Sequence, residues 1–347
     1  MFSKNLKYYR LKRSMTKSQL AKESGLSSMA ITNYENGTRS PSMDILKKLA
    51  AVLNIRVSDF LASRNDKLAF SHGEFRKLAS LSAAGQEYVR ESVEEYFSRF
   101  FTVVELLGGE VLPDAPSCHA LTLSGDVEED ARAMRVHLGI AEEGPVYDLI
   151  TILENKGILV YVSDIDSNKF SGMNGFVNER PYIVINGKMT PERSRSTIAH
   201  ELAHLLFHWS AIQDEKQIED TATAIAGAFL FPKSDAIREL GIRRSKISND
   251  MFLVCEEYGI SMYLLIKRAQ LIGIISKETE KKFYIIANSR GWRTNEPPRI
   301  EFEKAMLFEQ LVFRAISEGE ISIQRGAELL KKPYDTIVSC CCLSEEL

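Results

Sequence analysis

Two histidines and a glutamate stand at metal-site spacing near the middle of the chain, as His200, Glu201 and His204. Positions four apart on a helix share one face, so the two imidazoles can bind a single ion together. Glu201 would lie beside that ion, where its carboxylate can take a proton from an attacking water and later give it to the leaving amine. The spacing predicts a zinc site that hydrolyses peptide bonds, with His200 and His204 as ligands and Glu201 as the catalytic residue.

A catalytic zinc site needs a third protein ligand and an open position. We expect Glu219 to be this ligand, and the neighbouring Asp220 is the alternative. Both lie on the next predicted helix, which has a face of small residues that would let it approach the first helix closely: Ala222, Ala226 and Gly227. His208 would lie one turn beyond His204, too far to bind the same ion, so we expect it to pack beside the site.

Short helices and strands must position these side chains. Thr190 can cap the helix, Pro191 suits its first position, and Glu192 complements the positive helix end. The other patterns predict helices at 127–138 and 147–155, a buried strand at 158–162, and a hairpin of 175–177 with 182–186.

The N-terminal part of the chain is basic, whereas the remainder is acidic. Residues 1–64 contain 12 Lys/Arg against 4 Asp/Glu, a net charge of +8, and since the whole chain carries −3, the remainder carries −11. This asymmetry favours nucleic acid as a partner at one end only. No apolar run is long enough to span a bilayer, and the first residues do not form a signal peptide, so we expect a cytoplasmic protein with no membrane partner.

Residues 4–61 are predicted to form short helices, two of which are joined by a tight turn at Gly25. This is a helix-turn-helix pattern, in which the second helix enters the major groove of DNA. The residues expected to face base edges are Ser28, Met29, Thr32 and Asn33, and those expected to contact the phosphate backbone are Lys17, Gln19, Tyr34 and Arg39. The alternative is a small helical bundle used for protein contacts.

This stretch resembles the phage-repressor (Xre-type) helix-turn-helix family over nearly all of residues 4–61. The string that carries the resemblance is TKSQLAKESGLSSMAITNYENGTRSPSMDILKKLAAVLNI. It implies a DNA-binding domain of short packed helices.

The middle of the chain resembles the ImmA/IrrE metallopeptidases. The strings that carry the resemblance are YIVIN, TPERSRSTIAHELAHLLFH and a following Glu-x-x-Ala ahead of Leu-Phe-Pro. The resemblance assigns zinc binding to His200, His204 and Glu219 and catalysis to Glu201, and it implies cleavage of a helix-turn-helix repressor. The chain departs from the family at Thr223, Ile225 and Phe231, where weaker support of the ligands is expected. Tyr161, Tyr182 and Arg195 are the candidates for stabilising the oxyanion.

The remaining segments carry no predicted site. Residues 62–126 are expected to be a helical linker, with a long amphipathic stretch over 84–107. Residues 246–347 are expected to be a helical region of unknown role, in which 321–337 resembles a second helix-turn-helix pair. The cysteines at 340–342 are adjacent and poorly placed to pair with each other, so no disulfide framework is expected.

Together these patterns predict a mainly α protein with a small β-sheet. The predicted domains are an all-α helix-turn-helix domain at 4–61, an α+β zincin-like domain at 127–245 after the linker, and the helical C-terminal region. The predicted function is a Zn²⁺-dependent regulatory endopeptidase that binds DNA and cleaves a repressor protein, with a homodimer as one possible state. The alternative is a metal- or partner-sensing transcriptional regulator whose peptidase body does not cleave. Prophage control or a toxin–antitoxin pair would be the setting for either function.

Overall fold

The computed structural model describes residues 1–73, 81–292 and 296–341. Within these ranges the chain is mainly helical with a small mixed sheet, which confirms the fold class predicted from the sequence. The chain divides into two compact units: the first contains Met1–Ala69, Glu74–Val111 and Glu309–Leu347, and the second contains Phe70–Gly73 and Leu112–Phe308. The segment 62–126, expected to be a helical linker, is divided between the two units because Phe70–His72 forms a strand of the second unit's sheet.

Short helices open the first unit: α1 (Phe2–Lys12), α2 (Lys17–Ser24), α3 (Ser28–Glu35), α4 (Met43–Leu53) and α5 (Val57–Leu61). Thr16 and Gln19 form a capping box at the start of α2, and Ser27 caps α3. Gly25 ends α2 with a φ of +69°, a left-handed conformation that costs glycine little. These local signals produce the predicted tight turn, so α2 and α3 form a helix-turn-helix pair.

The core of the helix-turn-helix module holds the short helices together. Its buried apolar residues come from all of α1–α5 and include Leu6, Leu20, Ile31, Leu49 and Phe60. A buried ion pair adds to it, because the Arg10 guanidinium on α1 donates to both carboxylate oxygens of Glu35 on α3. The long helix α6 (Ala83–Leu106) follows in the same unit, over the stretch where the amphipathic pattern predicted it.

The second unit contains a four-stranded sheet in the order β1-β4-β5-β3. Its strands are β1 (Phe70–His72), β3 (Leu159–Ser163), β4 (Gly172–Val177) and β5 (Arg180–Asn186). β3 runs parallel to β5, whereas β4 pairs with both β1 and β5 in antiparallel register. The hairpin between β4 and β5 turns at Asn178 and Glu179, both with positive φ as a type I′ turn requires. The hairpin and β3 agree with the sequence prediction, and β1 was not predicted.

Helices pack around this sheet in the second unit: α7 (Val127–His137), α8 (Leu149–Asn155), α9 (Pro191–Leu206), α10 (Glu215–Leu230), α11 (Lys233–Leu240), α12 (Asp250–Tyr258), α13 (Met262–Ile272) and α14 (Lys277–Ser289). A two-stranded ladder pairs β2 (Leu121–Thr122) with β6 (Phe207–His208). The core residues of α9 and α10 are fully buried and fix both helices against the sheet and each other; they include Ile198, Leu202, Leu205, Ile225 and Phe229.

The irregular segment 296–306 is tied to the ends of these helices by buried charged groups. Arg299 donates its backbone N–H to the Glu192 carboxylate at the start of α9. Glu303 pairs with Arg195 of α9 and accepts the backbone N–H of Ile150 in α8. The helix that carries the sequence motif is therefore anchored at its first two turns.

The last described helices are α15 (Leu307–Ser317), which crosses into the first unit at Glu309, followed by α16 (Ile323–Leu330) and α17 (Tyr334–Cys341) in that unit. The last two form the helix pair that the pattern at 321–337 indicated. Cys340 and Cys341 are exposed, and Cys342 lies outside the described residues. Cys255 is buried and Cys118 half-buried, where burial raises the pKa of the Cys118 thiol to about 11. Both of these thiols therefore behave as packing groups.

Candidate functional site

Helix α9 carries the histidine motif across the core of the second unit. It begins with Pro191 at its first position and Glu192 in its first turn, as predicted. Thr190 occupies the N-cap position, but its side chain makes no capping hydrogen bond, which differs from the expectation. Glu192 instead accepts a hydrogen bond from Arg299, so its carboxylate fixes a neighbouring segment as well as complementing the helix end.

His200, His204 and Glu219 converge, with one ligand atom from each lying within 4.8 Å of the others. The two imidazole Nε2 atoms are 3.2 Å apart. The Glu219 oxygens lie 3.1 Å from the Nε2 atom of His200 and 3.4 Å from that of His204. In a tetrahedral zinc site with bonds of about 2.0–2.1 Å, ligand atoms are separated by about 3.3 Å. The 3.1 Å distance is to Oε2 of Glu219 and the 3.4 Å distance is to Oε1, so each imidazole nitrogen has a Glu219 oxygen at about the separation of two zinc ligands.

Thr223 supports this group from α10. Its hydroxyl oxygen lies 3.2 Å from Nδ1 of His200, the ring nitrogen that does not face Glu219. A hydrogen bond at the second nitrogen fixes the orientation and tautomer of a histidine that binds metal through the first. Thr223 was expected to weaken the support of the ligands. Its position one turn after Glu219 was the signal that could have shown its contact with His200.

Asn174 holds the Glu201 carboxylate in place. Glu201 is 3% exposed, and its Oε2 atom accepts a 2.7 Å hydrogen bond from the Asn174 side-chain amide. Asn174 lies on β4 and so joins the sheet to α9 beside the histidines. The sequence prediction missed Asn174 because it began the strand at Gly175, although the alternation of the hairpin could have been extended to it.

The helix-turn-helix module exposes several of the expected DNA-contacting residues. Met29 is 69% exposed at the start of α3, and Ser28, Gln19 and Arg39 are exposed as well. Thr32 and Asn33 are half-buried on the same helix. The Thr32 hydroxyl donates a 3.0 Å hydrogen bond to the backbone carbonyl of Ser28.

Two of the residues expected at the phosphate backbone are partly or wholly committed to the module itself. Tyr34 is 1% exposed and packs against Phe2 in the core, so the expectation that it contacts DNA is wrong. Its helical position relative to Ile31 indicates the buried face of α3. Lys17 lies 3.5 Å from Glu35 and is half-exposed, so it remains within reach of a phosphate.

Comparisons with known proteins agree with both parts of the chain. Residues 6–60 match the family described as Helix-turn-helix, and residues 153–270 match the family described as IrrE N-terminal-like domain. The uncharacterized HTH-type transcriptional regulator RghRB of Bacillus subtilis (strain 168) is 33% identical over 115 residues, which cover 32% of this chain and 72% of the relative. The chain belongs to the HTH-type transcriptional regulators and carries an ImmA/IrrE-like peptidase-family domain. No solved structure gives a significant match.

In the ImmA/IrrE-like domain of this HTH-type regulator, Asp220 and His208 both lie outside the group of converging ligand atoms. Asp220 is exposed and lies outside the set of converging ligand atoms, so the alternative to Glu219 is not supported. His208 was expected to continue the histidine face of the helix. That expectation is wrong because α9 ends at Leu206, and His208 is exposed on β6 beside His119.

The small residues of α10 have more than one role in this domain. Ala222 and Ala226 are buried where α10 packs among its neighbours. Gly227, expected to face α9, instead faces α13, because a Cβ atom there would lie 3.2 Å from the Arg268 side chain. The Arg268 guanidinium donates to the carbonyl of Phe231 and so fixes the end of α10.

The residues proposed for oxyanion stabilisation have other partners in this regulator. The Arg195 guanidinium is buried and contacts Glu303 and the carbonyls of Val146 and Gly259. Tyr182 is buried on β5, with its hydroxyl 2.6 Å from Nδ1 of His72. Tyr161 lies on β3, which is two strands away from the strand that holds Asn174. The structure supports none of the three in this role.

No helix among the described residues is both long and apolar enough to cross a membrane.

Proposed function

We propose that this HTH-type regulator is a zinc-dependent endopeptidase of the cytoplasm that binds DNA through α2 and α3 and cleaves a helix-turn-helix repressor. The observation that carries the proposal is the convergence of His200, His204 and Glu219 beside the buried carboxylate of Glu201. The two imidazole nitrogens lie 3.2 Å from each other, and each lies 3.1 or 3.4 Å from an oxygen of Glu219, which is close to the separation of about 3.3 Å between ligand atoms of a tetrahedral zinc site.

The donor set fits a catalytic zinc better than a structural one. Structural sites bind zinc through four protein ligands, commonly with cysteine, whereas two histidines and one carboxylate form a catalytic set with a further open position. Zinc bound there would polarise the scissile carbonyl and lower the pKa of the attacking water toward neutrality. Thr223 orients His200 for this role, and α9 and α10 hold the ligands through their buried apolar faces.

Glu201 moves the proton in this proposal. Its carboxylate takes the proton of the attacking water and then delivers it to the nitrogen of the leaving amine, so that the peptide bond is replaced by an acid and an amine. The Asn174 amide fixes the carboxylate by donating to Oε2. Burial of Glu201 excludes bulk water from one side of the carboxylate, which keeps this group positioned before a substrate arrives.

The basic helix-turn-helix module would hold the protease at DNA. It carries the net charge of +8 in residues 1–64 on an otherwise acidic chain and exposes the N-terminal residues of α3. A protease delivered to an operator, or to a partner that is itself bound to DNA, acts on a small set of proteins. We therefore propose a repressor protein as the substrate.

A second function is a transcriptional regulator that senses metal through the same three ligands without cleaving. The name of the Bacillus relative describes an HTH-type transcriptional regulator, and that favours this candidate. A time course separates the two functions. The purified chain, loaded with zinc, is incubated with a purified helix-turn-helix repressor, with and without a chelator.

Zinc-dependent loss of the intact repressor with the appearance of two fragments supports the endopeptidase. An intact repressor at all times, together with DNA binding that changes on removal of the metal, supports the sensing regulator instead.

A further inference from the structure

We propose that β1 is an inhibitory strand: Phe70–Gly73 occupies the place on β4 that an extended segment of a polypeptide substrate takes, and a substrate binds by replacing it. This inference rests on the proposed peptidase function. It concerns a segment of the chain that lies outside the matched family regions, which end at residue 60 and resume at residue 153.

β1 lies at one edge of the sheet and runs toward Asn174. It pairs antiparallel with β4 from Phe70 opposite Val177 to His72 opposite Gly175. The backbone N–H of Gly73, the residue after β1, donates a 2.8 Å hydrogen bond to the carbonyl of Asn174. The side chain of Asn174 holds Glu201. The strand therefore runs directly to the residue that positions the proposed catalytic carboxylate.

The first residues of β4, before Asn174, lie next to the proposed catalytic glutamate. A Cβ atom on Gly172 would lie 3.6 Å from Cγ of Glu201, so the first residues of β4 lie against the catalytic glutamate. A polypeptide that lies in the place of β1 and extends in the same direction would pass this glutamate. Extended peptides commonly bind proteins by adding a strand to a sheet edge, mainly through main-chain hydrogen bonds. The edge of β4 offers this mode of binding to a substrate of varied sequence.

Gly73 packs closely against Asn174. A Cβ atom there would lie 2.6 Å from Oδ1 and 2.7 Å from the backbone carbonyl oxygen of Asn174, distances that no side chain tolerates without displacing the strand. Only glycine therefore allows the chain to lie this close to Asn174. The φ of Gly73 is not in the left-handed region, so the requirement is one of space and not of backbone conformation.

β1 is held weakly enough to be replaced. Ser71 is exposed, and Phe70, His72 and Gly73 are only half-buried, so no member of β1 belongs to the core of the unit. The side-chain contact between His72 Nδ1 and the Tyr182 hydroxyl, at 2.6 Å, adds to the main-chain pairing. A substrate strand can form the same main-chain hydrogen bonds with β4, so β4 loses none of these bonds when β1 is replaced.

Two variants of the full chain move β1 in opposite ways. Gly73→Val releases the strand through the clash with Asn174. Phe70→Cys with Val177→Cys locks it, because these residues are directly opposite and their pair alternates with the hydrogen-bonded pair at Gly73 and Asn174. Such non-hydrogen-bonded pairs have Cα atoms about 4.5 Å apart, within the range a disulfide bridges. Ser71→Ala is the matched control, since its side chain is exposed on the same strand.

Binding is measured in zinc-loaded proteins that also carry Glu201→Gln, so that cleavage does not consume the probe. The probe is fluorescein-labelled α-lactalbumin that has been reduced and carboxymethylated, a permanently unfolded polypeptide, and binding is read by fluorescence anisotropy. We expect Gly73→Val to bind it at least tenfold more tightly than the parent and Ser71→Ala to bind like the parent. The oxidised double-cysteine variant is expected to lose binding and to regain it with dithiothreitol, which leaves the parent unchanged.

Equal affinity in the released, locked and parent proteins would overturn the proposal, and so would the absence of binding to Gly73→Val. A misfolded variant would also bind an unfolded polypeptide through exposed apolar surface, so the gain counts only if Gly73→Val keeps the thermal unfolding midpoint and zinc content of the parent. The locked variant tests the opposite sign. The same variants with Glu201 intact are assayed in parallel for cleavage of a helix-turn-helix repressor, the proposed substrate. Binding that responds as expected without any cleavage would refute the peptidase function and leave the inhibitory strand in place. Cleavage at the rate of the parent in both variants would refute the inhibitory strand and leave the peptidase function in place.

Discussion

Asn174 on β4 donates a 2.7 Å hydrogen bond to the carboxylate of Glu201 on α9. The bond joins the sheet to the helix that carries the histidines, and it fixes one oxygen of the group proposed to move the proton. The same Asn174 accepts, through its carbonyl, the main-chain hydrogen bond of Gly73, the residue after β1. One residue thus connects the proposed inhibitory strand with the proposed catalytic group.

Replacing Asn174 with alanine removes the donor without touching a metal ligand. We expect kcat to fall about 10–100-fold, the usual effect of losing a group that orients an active-site residue, while the zinc content stays at one ion per chain. Steady-state cleavage kinetics and metal analysis of the purified variant check this. A kcat equal to that of the parent would show that Glu201 needs no such support.

Glu219 and Asp220 are adjacent carboxylates with different positions, which makes them a matched pair. Glu219→Ala removes a proposed ligand, so its effect on zinc affinity should exceed the 10–100-fold typical of outer supporting groups. Asp220→Ala should leave the affinity unchanged, since Asp220 is exposed and lies outside the converging group. Competition for zinc with a chromophoric chelator measures both. Equal losses in the two variants would contradict the assignment.

Much of the site could be predicted from the sequence because its signals are local. The i and i+4 spacing of His200 and His204 sets their common face, and the fixed helical geometry needs no tertiary information. The hairpin was predictable for the same reason, since its turn residues and alternating apolar pattern are contiguous. Glu219 could be inferred because it lies in the second turn of the next helix, whose small residues were expected to let that helix approach the first.

The rest depended on contacts between distant segments. Asn174 and Glu201 are 27 positions apart, and β1 pairs with a strand more than 100 residues later, so neither relationship leaves a periodic signal. His208 was misplaced because apolar spacing does not show where α9 stops. Tyr34 was assigned to DNA from its place in the motif, whereas the packing of Phe2 from another helix decides its burial.

Glu154 gives the second unit a specific dependence of stability on pH. It is 6% exposed and accepts the backbone N–H groups of Met306 and Leu307. Burial, with a smaller contribution from Asp148, raises the pKa of Glu154 from 4.5 to about 7. The folded state then binds more protons than the unfolded state between these values, so the free energy of unfolding falls as pH rises through this window.

Glu154→Gln keeps an acceptor oxygen but cannot ionise, so it should remove this dependence. Between pH 5 and pH 8 the parent should lose about 2–3 kcal/mol more unfolding free energy than the variant. Urea unfolding at both values, followed by the fluorescence of the second unit's tryptophans, measures the difference. Parallel losses in both proteins would show that Glu154 titrates as an ordinary exposed glutamate.

The helix-turn-helix module gives a contrast between two neighbouring residues. Asn33→Ala should weaken binding to the operator by about 1–3 kcal/mol, because asparagine can read an adenine edge with two hydrogen bonds. Binding to unrelated DNA should be unchanged. Tyr34→Phe should leave both affinities as they are, since Tyr34 is buried in the module. Electrophoretic mobility shift at fixed salt checks both variants, and a loss of DNA binding in Tyr34→Phe with the fold intact would contradict the structure.

We propose that His200, His204 and Glu219 hold a zinc ion for which Glu201 is the catalytic residue. This is tested by the zinc content and repressor cleavage of the parent and Glu201→Gln, purified and assayed side by side. We expect one zinc ion per chain in both proteins and cleavage by the parent alone. Cleavage by Glu201→Gln at the rate of the parent, or a parent that binds no zinc, would contradict it.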